Sequence, residues 1–238
     1  SSYSRDVKSN LQSGGLFRLT SLIEQNSNIY DNINTIPVGD LLQAPTVLEL
    51  NAIDNAEQKS LIMALLLINI CVYTKYTQVG DGKLKNAILI DEAHVLLDGG
   101  RGSSPDGSAD SQGTTVRALQ DMIAEIRSYG TSIIIADQSP TKVSREIVAN
   151  TDIKVSFRLV QGVEKELIAD SINMDEVQKE ELSRLQTGEA FVFYSLLESP
   201  QLVKTRDIRE QEGIRLWVDD EEIIQKNTYW KTRQQMLK

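Results

Sequence analysis

The sequence predicts an α/β fold with a mainly parallel sheet flanked by helices. Two observations carry this. The runs Ala87 to Ile90 and Thr131 to Ala136 are short, continuously apolar and rich in β-branched residues, as strands buried on both faces are. Around them lie longer segments with apolar residues at helical spacing, and strands alternating with helices indicate parallel pairing through crossovers. With 238 residues, 40% of them hydrophobic and 25% charged, the chain is long enough for a substantial core. Its 25 Lys and Arg against 34 Asp and Glu leave a net charge of −9, so any nucleic-acid contact has to use a local patch. A single cysteine, Cys71, excludes an internal disulfide framework and a multi-cysteine zinc site, and fits a reducing, cytoplasmic setting. The chain does not begin with Met, which fits a piece of something longer.

Residues 1–45 are polar and mixed, with turn signals at Gly14-Gly15 and from Asn26 to Asn34, and read as an N-terminal helical segment. Pro45 to Leu50 reads as a strand and Ala56 to Tyr76 as a helix. From Leu61 to Tyr73 that helix is apolar nearly all round, so it is expected to be buried. The same run, interrupted by Asn69, falls short of the roughly 20 residues that span a bilayer, and no membrane partner is expected. A polar turn, Gln78 to Lys83, leads into the strand Ala87 to Ile90. Residues 99–113 are rich in Gly and Ser and read as a mobile loop. Val116, Leu119, Met122, Ile123 and Ile126 define a helix that Gly130 ends as a left-handed cap. After the strand Thr131 to Ala136, Ser139-Pro140 starts a helix. Thr151 to Leu159 reads as a strand, Asp175 to Leu185 as a helix stopping near Gly188, and Ala190 to Ser195 with Gln201 to Thr205 as a hairpin. The expected division is a core over 46–206 and a C-terminal helical tail over 207–238.

The chemistry concentrates in Ile88-Leu89-Ile90-Asp91-Glu92-Ala93-His94. An apolar strand ending in two acids sets carboxylates at the carboxyl edge of a parallel sheet, where such sheets bind ligands. Side chains alternate along a strand, so Asp91 and Glu92 take different jobs. In nucleotide hydrolases one acid holds Mg²⁺, usually through water, and another orients the attacking water. The bland alternative is a strand that ends in an acidic turn. His94, the only histidine, is expected to pack or hydrogen-bond behind the acids rather than to catalyse. The string Asp-Glu-Ala-His does not make a DEAH-box helicase, because neither the Ser-Ala-Thr segment nor the arginine-rich motif of that family follows.

What does follow is Ala124-Glu125-Ile126-Arg127-Ser128-Tyr129-Gly130, an apolar strand, and Asp137-Gln138-Ser139-Pro140. With ILIDEAHVLL, and with Glu146 to Leu159 and Leu185 to Lys204 as closing strands, this ordered set resembles the HerA/FtsK superfamily of hexameric motor ATPases over roughly residues 45–206. The likeness is to the HerA branch and the related conjugation ATPases. The resemblance implies a RecA-like P-loop NTPase core, here its C-terminal portion, with ATP and Mg²⁺ as cofactors. It implies Asp91 as the Mg²⁺-side acid of the nucleotide site (the Walker B acid) and Glu92 as the catalytic carboxylate. Gln138 would be the sensor touching the γ-phosphate or the water, and Arg127 the arginine finger reaching a neighbouring subunit, with Arg145 and Arg158 as rivals. It further implies a homo-oligomeric, hexameric ring that translocates double-stranded DNA, as a helicase does, in repair, defence or DNA transfer, with a nuclease partner or fused domain.

One departure stands out: no Gly-x-x-x-x-Gly-Lys-Ser/Thr occurs, and Gly80-Asp81-Gly82-Lys83 has the wrong spacing. A phosphate cradle needs both the free backbone N–H groups and the lysine. The expectation is therefore a piece of a longer motor that is inactive alone; the alternative is a non-catalytic interaction module with a degenerate nucleotide site. For DNA, the basic candidates are Lys142, Arg145, Lys154, Arg158 and Lys165, the tail residues Lys226, Lys231, Arg233 and Lys238, and the 99–113 loop with Arg101 as a pore loop.

Overall fold

Asn55 starts the longest helix among the described residues: its side-chain oxygen accepts the Gln58 N–H at 3.2 Å and caps the first turn. The computed structural model describes residues 37–51, 53–97 and 121–208, with 219, 221, 222, 224 and 225 of the tail. Loop 99–113, the basic residues from Lys226 onward and nearly all of the N-terminal segment lie outside the described residues. The chain divides into two compact units, Ser1–Asn150 and Thr151–Lys238.

In the first unit a short helix α1 (Val38–Gln43) precedes the Asn55-capped helix α2 (Ala56–Thr77). Pro45 to Leu50, expected as a strand, is irregular, and Val47 is 84% exposed. The correction has a simple cause: an extended segment counts as a strand only with a ladder partner, and none pairs with it among the described residues. α2 has the predicted extent. Its polar residues bond back to the preceding turn, Asn69 Nδ2–H to the Leu65 carbonyl at 2.8 Å and Thr74 Oγ1–H to that of Ile70 at 2.9 Å. Strand β1 (Asn86–Ile90) pairs in parallel with β2 (Thr131–Ile135). Between them lie α3 (His94–Leu97) and α4, described over 121–127.

One face of the parallel pair, Ile88, Ile90, Ile133 and Ile135, packs with Leu67, Ala93, Leu96 and the α2 residues Met63, Ala64 and Ile68. The opposite face carries the register pair Leu89 and Ile134, which are 65% and 50% exposed. Among the described residues α2 is likewise covered on one side only. Leu67, Ile70 and Thr74 are buried, while Leu61, Leu65, Val72 and Tyr76 form an exposed stripe. The expectation of a fully buried helix is corrected: composition shows apolarity but not which neighbours are present. By length and composition alone, Gln58–Thr77 is apolar enough to cross a membrane, longer than the Leu61–Tyr73 run suggested. Its packing against β1 and β2 is that of a helix flanking a sheet.

The second unit is an antiparallel sheet in the order β3 (Lys154–Ser156), β4 (Glu189–Phe193), β5 (Gln201–Lys204). Two helices accompany it, α6 (Gly162–Ser171) and α7 (Glu176–Glu181). The hairpin is as predicted, whereas the strand expected over Thr151 to Leu159 shrinks to β3, and Arg145–Asn150 is a helix, α5. α7 begins at a reciprocal capping box between Asp175 and Gln178. Ile172, Leu182, Leu185 and Phe191 form this unit's core.

Gly130 fixes where β1 meets β2. It adopts φ 90°, and its carbonyl oxygen accepts the N–H groups of Lys85 at 2.7 Å and Asn86 at 3.2 Å. A Cβ there would run into the Lys83 carbonyl oxygen, whereas Gly82, at φ 74°, faces open space. Gly82→Ala is expected to cost roughly 1–2 kcal/mol from the left-handed backbone alone. Gly130→Ala is expected to cost clearly more, because backbone must also shift; denaturant unfolding of the two variants measures the difference.

Candidate functional site

The register from Asn86–Thr131 to Ile90–Ile135 brings the carboxyl ends of β1 and β2 side by side. Asp91 and Glu92 follow one strand; Ala136, Asp137 and Gln138 follow the other. Ala136 joins the two tips: its N–H donates to the Ile90 carbonyl at 2.9 Å, and its carbonyl accepts the Ala93 N–H at 3.3 Å. The acid pair therefore sits on a turn held at both ends by one residue of the neighbouring strand. Ala93 is fully buried in the core with Ile90 and Leu96, so the turn's base is anchored by packing as well.

Both acids are exposed at the apex. Asp91 Oδ1 accepts the Glu92 N–H at 3.0 Å, and Glu92 has φ 50°, a left-handed conformation that strains a side chain with a Cβ. Gln138 is exposed on the adjacent tip. The structure thus brings together Asp91, Glu92 and Gln138 at one sheet edge. Arg127 is not brought to that edge. It is exposed at the end of α4, and the Gly130 N–H donates to its carbonyl at 3.0 Å in the turn that enters β2 from the amino end. β2 is five residues long, so about 17 Å of strand separates the two ends at roughly 3.3 Å per residue. Arg145 is exposed on α5; Arg158 belongs to the second unit.

Sequence reasoning missed Asp137, which the structure makes the most highly bonded group at the site. Its side chain is only 6% exposed. Oδ2 accepts the His94 backbone N–H at 2.8 Å and His94 Nδ1–H at 2.9 Å, and Oδ1 accepts the Ser139 N–H at 3.0 Å. An ionised carboxylate only accepts, which fixes Nδ1 as the donor. Burial alone would raise the Asp137 carboxyl, but the Ser139 and His94 donors outweigh it and hold it below the usual carboxylate range. The local signal was present, since Asp followed two residues later by Ser-Pro is an Asx-turn pattern. The partner 43 residues away was not. His94 hydrogen-bonds behind the acids, as expected.

Among the described residues no group of three or more His, Cys, Asp or Glu side chains is placed to hold a metal. The exposed carboxylates at the tip, Asp91 and Glu92, suit Mg²⁺, which takes one or two carboxylates and completes its shell with water and phosphate oxygens.

The depressed Asp137 carboxyl has a signed consequence. A carboxylate lowered in the folded state stabilises above its unfolded value of about 4, and that stabilisation is lost as pH falls through the folded value. Asp137→Asn is expected to cost roughly 2 kcal/mol at neutral pH. Its stability curve should meet that of the wild type in strong acid; thermal unfolding from pH 7 down to about 2 reads both limbs.

The chain matches no protein-family model. It is 26% identical over 190 residues to the DNA double-strand break repair helicase HerA of Sulfolobus acidocaldarius, covering 76% of this chain and 36% of that protein. The HerA of Sulfurisphaera tokodaii is 30% identical over 118 residues, 49% of this chain and 22% of the relative. That of Saccharolobus solfataricus is 22% identical over 204 residues, 84% and 39%. The chain thus spans well under half the length of these relatives. Among solved structures, the genome packaging NTPase B204 of Sulfolobus turreted icosahedral virus 2 aligns with a TM-score of 0.49 at 15% identity, over 73% of this chain and 74% of that one. VirB4 of Thermoanaerobacter pseudethanolicus aligns with a TM-score of 0.47 at 18% identity, over 65% and 39%. Over 49–84% of its length the chain is thus similar, at 22–30% identity, to archaeal DNA double-strand break repair helicases named HerA.

Proposed function

We propose that this chain is the acid-pair portion of a longer, HerA-like ring ATPase that couples ATP hydrolysis to movement along double-stranded DNA. The observation that carries the reading is the joining of two acids and a glutamine at the carboxyl edge of a parallel pair, in a homologue of helicases. Glu92, free of a metal's claim, orients and polarises the attacking water. Asp91 would hold Mg²⁺ through water, and the ion would supply charge neutralisation on the phosphates. Gln138, two residues past Ala136, donates its amide hydrogens toward the γ-phosphate or that water. Arg127, at the opposite end of β2 from Glu92, serves a neighbouring subunit's site; its planar, permanently charged fork suits two phosphate oxygens at once.

The phosphate loop has to come from a stretch outside this sequence, since no Gly-x-x-x-x-Gly-Lys-Ser/Thr occurs in the 238 residues. The bare face at Leu89 and Ile134 supports this. Parallel sheets are covered on both faces, and among the described residues no element covers Leu89 and Ile134. The ring's channel, its DNA contacts and a nuclease partner or fused domain belong to the same reading. Lys142 and Arg145 are two exposed basic residues of the first unit that this reading offers to phosphates.

Glu92→Gln in the full-length protein is expected to retain ATP binding and to lower turnover ~100-fold or more, because water positioning is lost while phosphate contacts stay. Near-normal turnover would end the catalytic assignment. Mixing tests Arg127. An Arg127→Ala subunit keeps its acids, and a Glu92→Gln subunit keeps its finger. Mixed rings of the two inactive variants are therefore expected to regain part of the ATPase activity. No recovery, with mixed assembly verified by native mass spectrometry, would remove the role in trans.

A further inference from the structure

The Asp137 carboxylate lies between the two turns that carry the candidate catalytic side chains, and it bonds to both. Through Oδ2 it holds the exit of the acid turn, taking the backbone N–H and the ring Nδ1–H of His94, the residue that opens α3. Through Oδ1 it takes the Ser139 N–H, closing a three-residue Asx turn whose central residue is Gln138. Its side chain is only 6% exposed, so these part-buried bonds are shielded from much of the solvent. The acid turn stores strain: Glu92 sits at φ 50°. A non-glycine residue in that region is strained and persists only where its surroundings over-determine it. Here the over-determination is countable. Ala136 fixes Ile90 and Ala93, Asp91 takes the Glu92 N–H, and Asp137 fixes His94. Of these, the Asp137 bonds alone also define the geometry of the glutamine turn.

We propose that Asp137 is a positioning residue of the nucleotide site: its carboxylate locks the turn carrying Glu92 to the turn carrying Gln138, so that neither tip moves without the other. This rests on the motor reading given above for the roles of Glu92 and Gln138, but the mechanical coupling itself does not. Asp137 touches no reacting atom. It acts by keeping Glu92 in its left-handed conformation and Gln138 at the apex of its turn. Both side chains then meet one γ-phosphate and one water without reorganisation. An alanine leaves both turns free. An asparagine offers one accepting oxygen in place of two, so it keeps one turn and faces the other with an amide N–H₂ group that repels the donor there.

The test uses the full-length protein at a temperature well below its unfolding transition, with three single variants, one double variant and two readouts. In steady-state ATP hydrolysis, Asp137→Ala is expected to lower kcat ~10–100-fold, the cost of a misplacement of about 1 Å, with KM for ATP within about threefold of wild type. Asp137→Asn should fall between the two. His94→Ala, which removes only the ring bond, should lower kcat less, and its effect should vanish in the Asp137→Ala background because both act through one carboxylate. In hydrogen exchange followed by mass spectrometry, Asp137→Ala should speed exchange in peptides spanning 88–97 and 136–142 together and leave 63–72 of α2 unchanged. His94→Ala should loosen 136–142 although the substitution lies on the other strand's turn. A folded Asp137→Ala variant with wild-type kcat, or one whose loss is all in KM, overturns the proposal and leaves the motor reading standing. A wild-type protein without ATP turnover sinks the motor reading instead. The exchange arm then decides on the lock, and unchanged protection of 136–142 in His94→Ala overturns it.

Discussion

Everything at the candidate site depends on two five-residue strands lying parallel and in register. Parallel pairing makes both strands end at the same edge, so residues 43 positions apart in sequence, His94 and Asp137, become hydrogen-bond partners. The pairing is set at the other edge by Gly130, whose left-handed backbone lets one carbonyl receive two N–H groups at the entrance to β1. From there the register runs without a bulge to Ile90 and Ile135, and Ala136 continues it one step beyond the strands. The strand tips are placed by main-chain bonds, and side chains finish the site: Asp91 takes the Glu92 N–H and Asp137 bonds to both turns.

The same sheet explains why the two ends carry different kinds of residue. The amino edge holds a glycine and a polar turn, where Lys85 pairs with Asp81 at 3.3 Å. The carboxyl edge holds the acids, the glutamine and the buried Asp137. Arg127 stands at the first edge and Glu92 at the second, and a rigid sheet between them keeps an arginine and an acid of one chain apart. In the ring we propose, that separation would let the arginine of one chain serve the acid of a neighbour rather than its own.

Much of this was legible in the sequence, and the parts that were not share a cause. β1, β2, the hairpin of β4 and β5 and the extent of α2 follow from apolar runs, turn residues and helical spacing, all of which are local. The start of α7 is local too, through Asp175 and Gln178. Pro45 to Leu50 has strand composition without a strand, because a strand is a property of two segments. α6 escaped notice because Gly162 opens it and its Glu, Lys and Asp residues blur the apolar period, while only Glu164 and Ala169 are buried. Asp91, Glu92 and Gln138 were readable as residues at strand ends. Asp137 was not, since its function as a lock needs His94, and nothing local announces a partner on another strand.

The central claim is that these strand tips are one half of a nucleotide site whose phosphate loop lies elsewhere in the protein. Titration calorimetry of Mg²⁺ and a non-hydrolysable ATP analogue, run on the 238-residue chain and on the full-length protein side by side, tests it most directly. The account expects saturable binding in the micromolar range or tighter, about −8 kcal/mol or more favourable, for the full-length protein and none for the chain alone. Comparable affinity in the chain alone would contradict it, because the phosphates would then be held by residues within this sequence.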